Sequence, residues 1–111
     1  MARTATTADV FNAVAELARR DILDVLSHGE APVAEIVHRC GFTQPQVSKH
    51  LRVLREVDVV RCRVDGRQHI YRINARALRP LHHWIAQYER LWNDRYDRLD
   101  NLIVEVQKKR K

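Results

Sequence analysis

VAEIVHRCGFTQPQVSKHLRVLREV, residues 33–57, reads as two short helices joined by a tight turn. In the second helix Val47, Leu51 and Leu54 recur at steps of four and three, which puts one apolar stripe against a core and leaves Gln46, Lys49, Arg52 and Arg55 outside it. Thr43 suits the N-cap, because its side-chain oxygen accepts from a first-turn N–H, and Pro45 falls where a missing N–H costs little. Gly41 supplies the turn, since it takes positive φ without a Cβ penalty. The polar surface of the second helix, with Gln44, Gln46, Ser48, Lys49, His50 and Arg52, is that of a helix-turn-helix facing a major groove. An ordinary amphipathic helical hairpin would share the stripe, so the choice between them rests on what flanks it.

Charge is the first flanking signal. The chain of 111 residues carries a formal +6, unevenly placed. From Arg39 to Arg76 nine Lys/Arg stand against three acids (Glu56, Asp58, Asp65), and the rest balances at eleven each. A basic stripe over a helix-turn-helix and the segment after it is the footprint of a phosphate-binding surface; a solvated basic face is the bland alternative. The length suits one domain, and no stretch reaches the roughly 20 apolar residues of a membrane span. MARTATTAD has no apolar run after its arginine, so the expectation is a cytoplasmic protein with no membrane partner. Cys40 and Cys62 are too few for a disulfide framework or a four-thiolate zinc site and are expected to be reduced.

The second flanking signal is a change of period. After the recognition helix, Val59–Val64 and Gln68–Ile73 alternate in strand fashion around Asp65-Gly66-Arg67, and Asp-Gly is a strong hairpin signal. Tyr71 and Ile73 share one face of the second strand, Ile70 and Arg72 the other. A basic hairpin directly after a recognition helix is a wing, whose tip, Arg67 and Gln68, is expected along the backbone or minor groove.

Upstream, residues 1–7 form a polar arm. From Ala8 to Leu26 the stripes Val10, Phe11, Val14, Leu17, Ala18 and Ile22, Leu23, Val25, Leu26 predict two helices with a bend near Ala18, closed by His28 and Gly29. Pro32 is expected at the first position of the third helix. Downstream, Asn74 is expected to cap a short piece to Leu78, and a longer helix runs from Pro80 to about Val106. There Leu81, Ile85, Tyr88, Trp92, Leu99, Leu102 and Val106 recur mainly at four- and three-residue steps. At ~1.5 Å per residue this is a rod of about 40 Å, too long for so small a domain to bury alone, so a second copy of the helix is its simplest partner. Dimer contacts are therefore expected at Leu81, Ile85, Tyr88 and Trp92. The expected architecture is mainly α with a β-hairpin wing (α+β), in the order α-α-α-α-β-β-α. It occupies 8–106, with 1–7 and 107–111 as flexible tails.

These residues together resemble the ArsR/SmtB group of small bacterial winged-helix repressors, over nearly the whole chain from Val10 to about Leu102. The most specific part is Thr43-Gln44-Pro45-Gln46-Val47-Ser48-Lys49-His50-Leu51-Arg52-Val53-Leu54, similar to the group's recognition helix, with Ser48, His50 and Leu51 at matching places. Arg19-Arg20-Asp21-Ile22-Leu23 and Gly66-Arg67 with Tyr71 are similar to its second-helix and wing signatures. The usual Asp-Pro-Thr before the arginine pair is Glu16-Leu17-Ala18 here. The resemblance implies a homodimer through its first and last helices, with Val10, Phe11 and Val14 of the first beside Leu81, Ile85, Tyr88 and Trp92 of the last, which places two recognition helices in successive major grooves of a near-palindromic double-stranded DNA operator; it also implies repression by blocking polymerase. It does not carry the group's metal chemistry: the cysteines of the best-known metal motif would fall on Pro32 and Ala34, and the acid and histidine near the start of the last helix are Ala75 and Ala77. The chain resembles the branch without metal ligands.

DNA contact is thus expected at Thr43, Gln44, Gln46, Ser48, Lys49, His50, Arg52, Arg67 and Gln68, with no cofactor or metal. His50 has a structural role as its alternative. Two other functions compete: a thiol- or metal-responsive sensor using Cys40, Cys62, His82 and His83, and a protein-interaction module without DNA binding. An enzyme is not expected, since there is no Gly-rich phosphate loop, metal triad or nucleophile beside a base.

Overall fold

In this computed structural model, which describes residues 9–93, the chain opens with α1 (Val10–Val14) and α2 (Leu17–Leu26). Asp9 caps α1, its Oδ1 accepting from Asn12 N at 2.8 Å. The break falls at Ala15–Glu16 rather than near Ala18, because Glu16 is extended (ψ 130°) and serves as the N-cap of α2. That shift rotates the stripes: Val10 and Ala13 are buried, while Leu17, counted in the same stripe as Val10, is 64% exposed.

Pro32 is also displaced by one position. It is the N-cap of α3 (Val33–Cys40) and not its first residue, because Ala31–Pro32 form a short strand, β1, that sequence periodicity did not reveal. A two-residue strand shows no alternation to read, and a proline is tolerated there because β1 lies at the sheet edge. Gly41 closes α3 at φ 74°, the left-handed cap that Gly adopts freely. Then come α4 (Gln44–Glu56), β2 (Val60–Asp65), β3 (Gln68–Ile73) and a 3₁₀ turn, Ala75–Leu78. The observed order is thus α-α-β-α-α-β-β followed by helix, a winged helix-turn-helix with a three-stranded antiparallel sheet ordered β1-β3-β2.

The hairpin connection is shorter than expected. Asp65 pairs with Gln68, so Asp65 belongs to the strand and only Gly66 and Arg67 turn. Gly66 has φ 63°, the positive value that primed hairpin turns need at the first central position. Both Ile70 and Tyr71 are buried, on opposite faces of β3, while Arg72 on the Ile70 side is exposed. The core joins α1–α4 and the sheet through Ile22, Leu26, Ile36, Val47, Leu51, Leu54, Val59 and Val60.

The chain divides at Pro80 into two compact units. Residues 79–93 are helical. In the second unit Trp84, Tyr88, Leu91 and Trp92 are exposed, and the Trp84 and Tyr88 rings meet edge to face at 5.5 Å. Leu99, Leu102, Val106 and both tails lie outside the described residues.

Candidate nucleic-acid interface

Helix α4 is built to hold a polar surface still. Thr43 Oγ1 accepts from Gln46 N at 3.3 Å and Gln46 Oε1 accepts from Thr43 N at 2.9 Å, a reciprocal capping box. Val47, Leu51 and Leu54 are no more than 1% exposed, so the rotation of the helix about its axis is set by burial. The surface outside that stripe carries Thr43, Gln44, Gln46, Ser48, Lys49 and Arg52, all exposed. The box was not foreseen: it commits the Gln46 carbonyl oxygen to the backbone and leaves its NH₂ as the group free to contact a base. His50 is half-buried. Its Nδ1 is shut from solvent without a partner, leaving Nε2 as the reachable ring nitrogen.

The wing tip places Arg67 and Gln68 in solvent. Its base is held by contacts between residues distant in sequence. Arg63 donates from Nη2 to Glu30 Oε1 at 2.6 Å and from Nε to Oε2 at 3.2 Å, a bidentate pair that ties β2 to the turn before β1. This arginine holds the Glu30 carboxyl below the usual range, Arg72 adding a smaller pull. At the other end Asp58 sits at φ 64°, between α4 and β2. Arg61 donates to both its carboxylate oxygens, at 3.2 and 3.0 Å, and Asn74 Nδ2 donates to its backbone O at 2.9 Å and its Oδ2 at 3.1 Å. Asn74 therefore does not cap the 3₁₀ turn with its side chain, as expected, but fastens the end of β3 to the end of α4. Arg61 and, secondarily, Asn74 lower the Asp58 pKa.

A cleft of about 410 Å³ separates α4 from the sheet, lined by Ser48, Arg52, Arg55, Glu56 and Tyr71. Burial pushes the Tyr71 hydroxyl up, the neighbouring Cys62 adds to the rise, and a hydrogen bond with Arg55 opposes it.

The cysteines separate. Cys40 is half-buried, and burial followed by the Asp21 charge raises its pKa, which disfavours the reactive thiolate. Cys62 Sγ lies 3.7 Å from His69 Nδ1, a juxtaposition that linear spacing concealed and hairpin pairing creates. The rings of His82 and His83 stand 6.1 Å apart at 62°. Among the described residues no three His, Cys, Asp or Glu gather in a way that would hold a metal ion, and no helix is long and apolar enough to cross a membrane.

Of the residues expected at a dimer interface, Val10 is 7% exposed in the core of the first unit, and Phe11 is 40% exposed. Val14, Leu81 and Ile85 are half-buried, and Tyr88 and Trp92 are 39% and 45% exposed.

The pattern of a helix-turn-helix domain matches residues 15–63. The transcriptional repressor SdpR of Bacillus subtilis is 28% identical over 80 residues, which cover 72% of this chain and 89% of that one. The arsenical resistance operon repressor of Staphylococcus aureus is 32% identical over 65 residues, 59% of this chain and 62% of the repressor. Among solved structures, the homodimeric winged helix-turn-helix DNA-binding domain of a possible ArsR-family transcriptional regulator from Mycobacterium bovis aligns with a TM-score of 0.63 at 30% identity, covering 79% of this chain and 84% of that domain.

Proposed function

As the chain belongs to the ArsR family of winged helix-turn-helix transcriptional regulators, we propose that it is a homodimeric, cytoplasmic repressor that binds a near-palindromic operator. Residues 43–57 enter the major groove and the 65–68 wing follows the adjacent backbone. The observation that carries this reading is the construction of α4: a capped helix with one fully buried stripe, outside which Gln44, Ser48, Lys49 and Arg52 stand exposed. Amides at such positions suit adenine edges, and the cations suit guanine or phosphate. The exposed aromatic face of the second unit, with Trp84, Tyr88 and Trp92, suits a second copy of the chain.

No metal takes part in this reading. His82 and Glu89 are seven residues apart, ~10.5 Å along a helix axis, too far for one ion. The test is a mobility shift against the DNA upstream of its own gene, with protein stripped by a chelator and then titrated with zinc. A salt-sensitive, sequence-selective shift by the stripped protein is expected. No shift on any upstream sequence would overturn the reading, and release by low zinc that is lost with His82→Ala and His83→Ala would make the protein a metal sensor.

A further inference from the structure

Resting on that reading, we infer that the cleft between α4 and β3 seats a phosphate of the bound DNA backbone, gripped by Arg55 with Arg52, Ser48 and Tyr71 around it. Ser48, Arg52 and Arg55 lie at i, i+4 and i+7, on one side of the helix next to its buried stripe. They share one open cleft with Tyr71 of the neighbouring strand. The two arginines differ in their partners. Arg52 lies 4.0 Å from Glu56, which offsets part of its charge. Arg55 has no ion pair among the described residues, although it is exposed. It lines the same cleft as Tyr71, a residue only 9% exposed. Tyr71 lies opposite Cys62 in the hairpin register, so it is fixed by the sheet.

An unneutralised guanidinium sharing a cleft with a phenol is a donor set for an oxyanion, with a second arginine and a hydroxyl beside it. Glu56 also lines the cleft, but its carboxylate is turned to Arg52, which leaves Arg55 as the cation for an anion. The cleft borders the surface of α4 that carries Ser48 and Arg52, so a duplex lying against that surface brings its backbone to it. The site joins the recognition helix to the wing strand through one phosphate, and being a backbone contact it adds affinity without reading sequence.

The test compares wild type, Arg55→Ala, Arg55→Lys and Tyr71→Phe on the full operator, with melting curves to establish that each variant is folded. Arg55→Ala is expected to weaken binding roughly tenfold at physiological salt. It should also lower the magnitude of the log K against log salt slope by about 2, one phosphate for each protomer of the dimer. Arg55→Lys keeps the slope, Tyr71→Phe weakens binding a few-fold at unchanged slope, and none alters base preference. A neutral methylphosphonate placed singly along each half-site should find one position that weakens wild type and leaves Arg55→Ala unaffected. Wild-type binding with an unaltered slope in Arg55→Ala overturns this inference alone. An unaltered slope together with Tyr71 ring shifts on adding inorganic phosphate without DNA overturns it in favour of a small-anion site. A wild type that binds no DNA removes the reading beneath it as well.

Discussion

Gln46 serves two partners with one side chain: its oxygen accepts from Thr43 N at 2.9 Å, and its amide faces the side proposed for DNA. The two roles separate by substitution. Gln46→Glu retains the acceptor that a capping box needs but sets a negative charge against DNA. Its melting temperature is expected to stay within a degree or two of wild type while operator binding falls at least tenfold; an operator affinity equal to wild type would remove Gln46 from the interface. Thr43→Ala removes the bond from Gln46 N to Oγ1 while leaving the backbone donor to Gln46 Oε1, and is expected to cost about 1 kcal/mol of stability, read from the urea midpoint at constant m-value.

At the scale of elements, the wing is a lever whose base is pinned twice, by Glu30–Arg63 and by Asp58 with Arg61 and Asn74. Both carboxyls have folded pKa values below their ordinary ones. Their contributions are therefore present above the usual carboxylate range and lost as pH falls through the lower folded values. Removing Glu30 should flatten that acid limb: in Glu30→Gln, stability below about pH 5 should fall less steeply with pH than in wild type, as measured by urea unfolding across the range. At the tip, Arg67→Ala should weaken binding to all duplexes alike and reduce the salt slope by about 1 for each protomer. A change of preferred operator at constant slope would mean that the wing reads bases. Gly66, at φ 63° with open space where a Cβ would stand, should lose roughly 1 kcal/mol on conversion to Ala, from backbone conformation alone.

At the scale of the whole molecule, the proposed dimer depends on the second unit. Ile85 lies half-buried within an element whose aromatic residues are exposed. Ile85→Glu in a dimer seam buries an unpaired charge. Sedimentation at micromolar concentration is expected to give a dimer for wild type and a monomer for Ile85→Glu. The variant should still bind a single half-site weakly while losing the cooperative complex on half-sites one helical turn, ~10 bp, apart. A wild-type monomer would refute the dimer.

The sequence by itself determined the elements whose signals are local. A stripe at 47, 51 and 54, a threonine before a proline, a glycine at position 41 and a period change at Val59 each depend on a few neighbouring residues. The helix-turn-helix and the wing were legible for that reason, and so was the exposure of Gln44, Gln46, Ser48, Lys49 and Arg52 on α4. Tertiary structure alone decided whatever depends on pairing between distant segments. β1 exists only because Ala31 and Pro32 lie beside Tyr71 and Ile70. Asn74 turned from a cap into a tie because Asp58 was within reach. The most consequential case is one residue of register: a three-residue connection would have set Cys62 opposite Ile70, but the two-residue turn sets it opposite Tyr71. Because strand side chains alternate faces, that single step decides which side chains accompany Tyr71 toward Arg55 and which thiol stands beside His69.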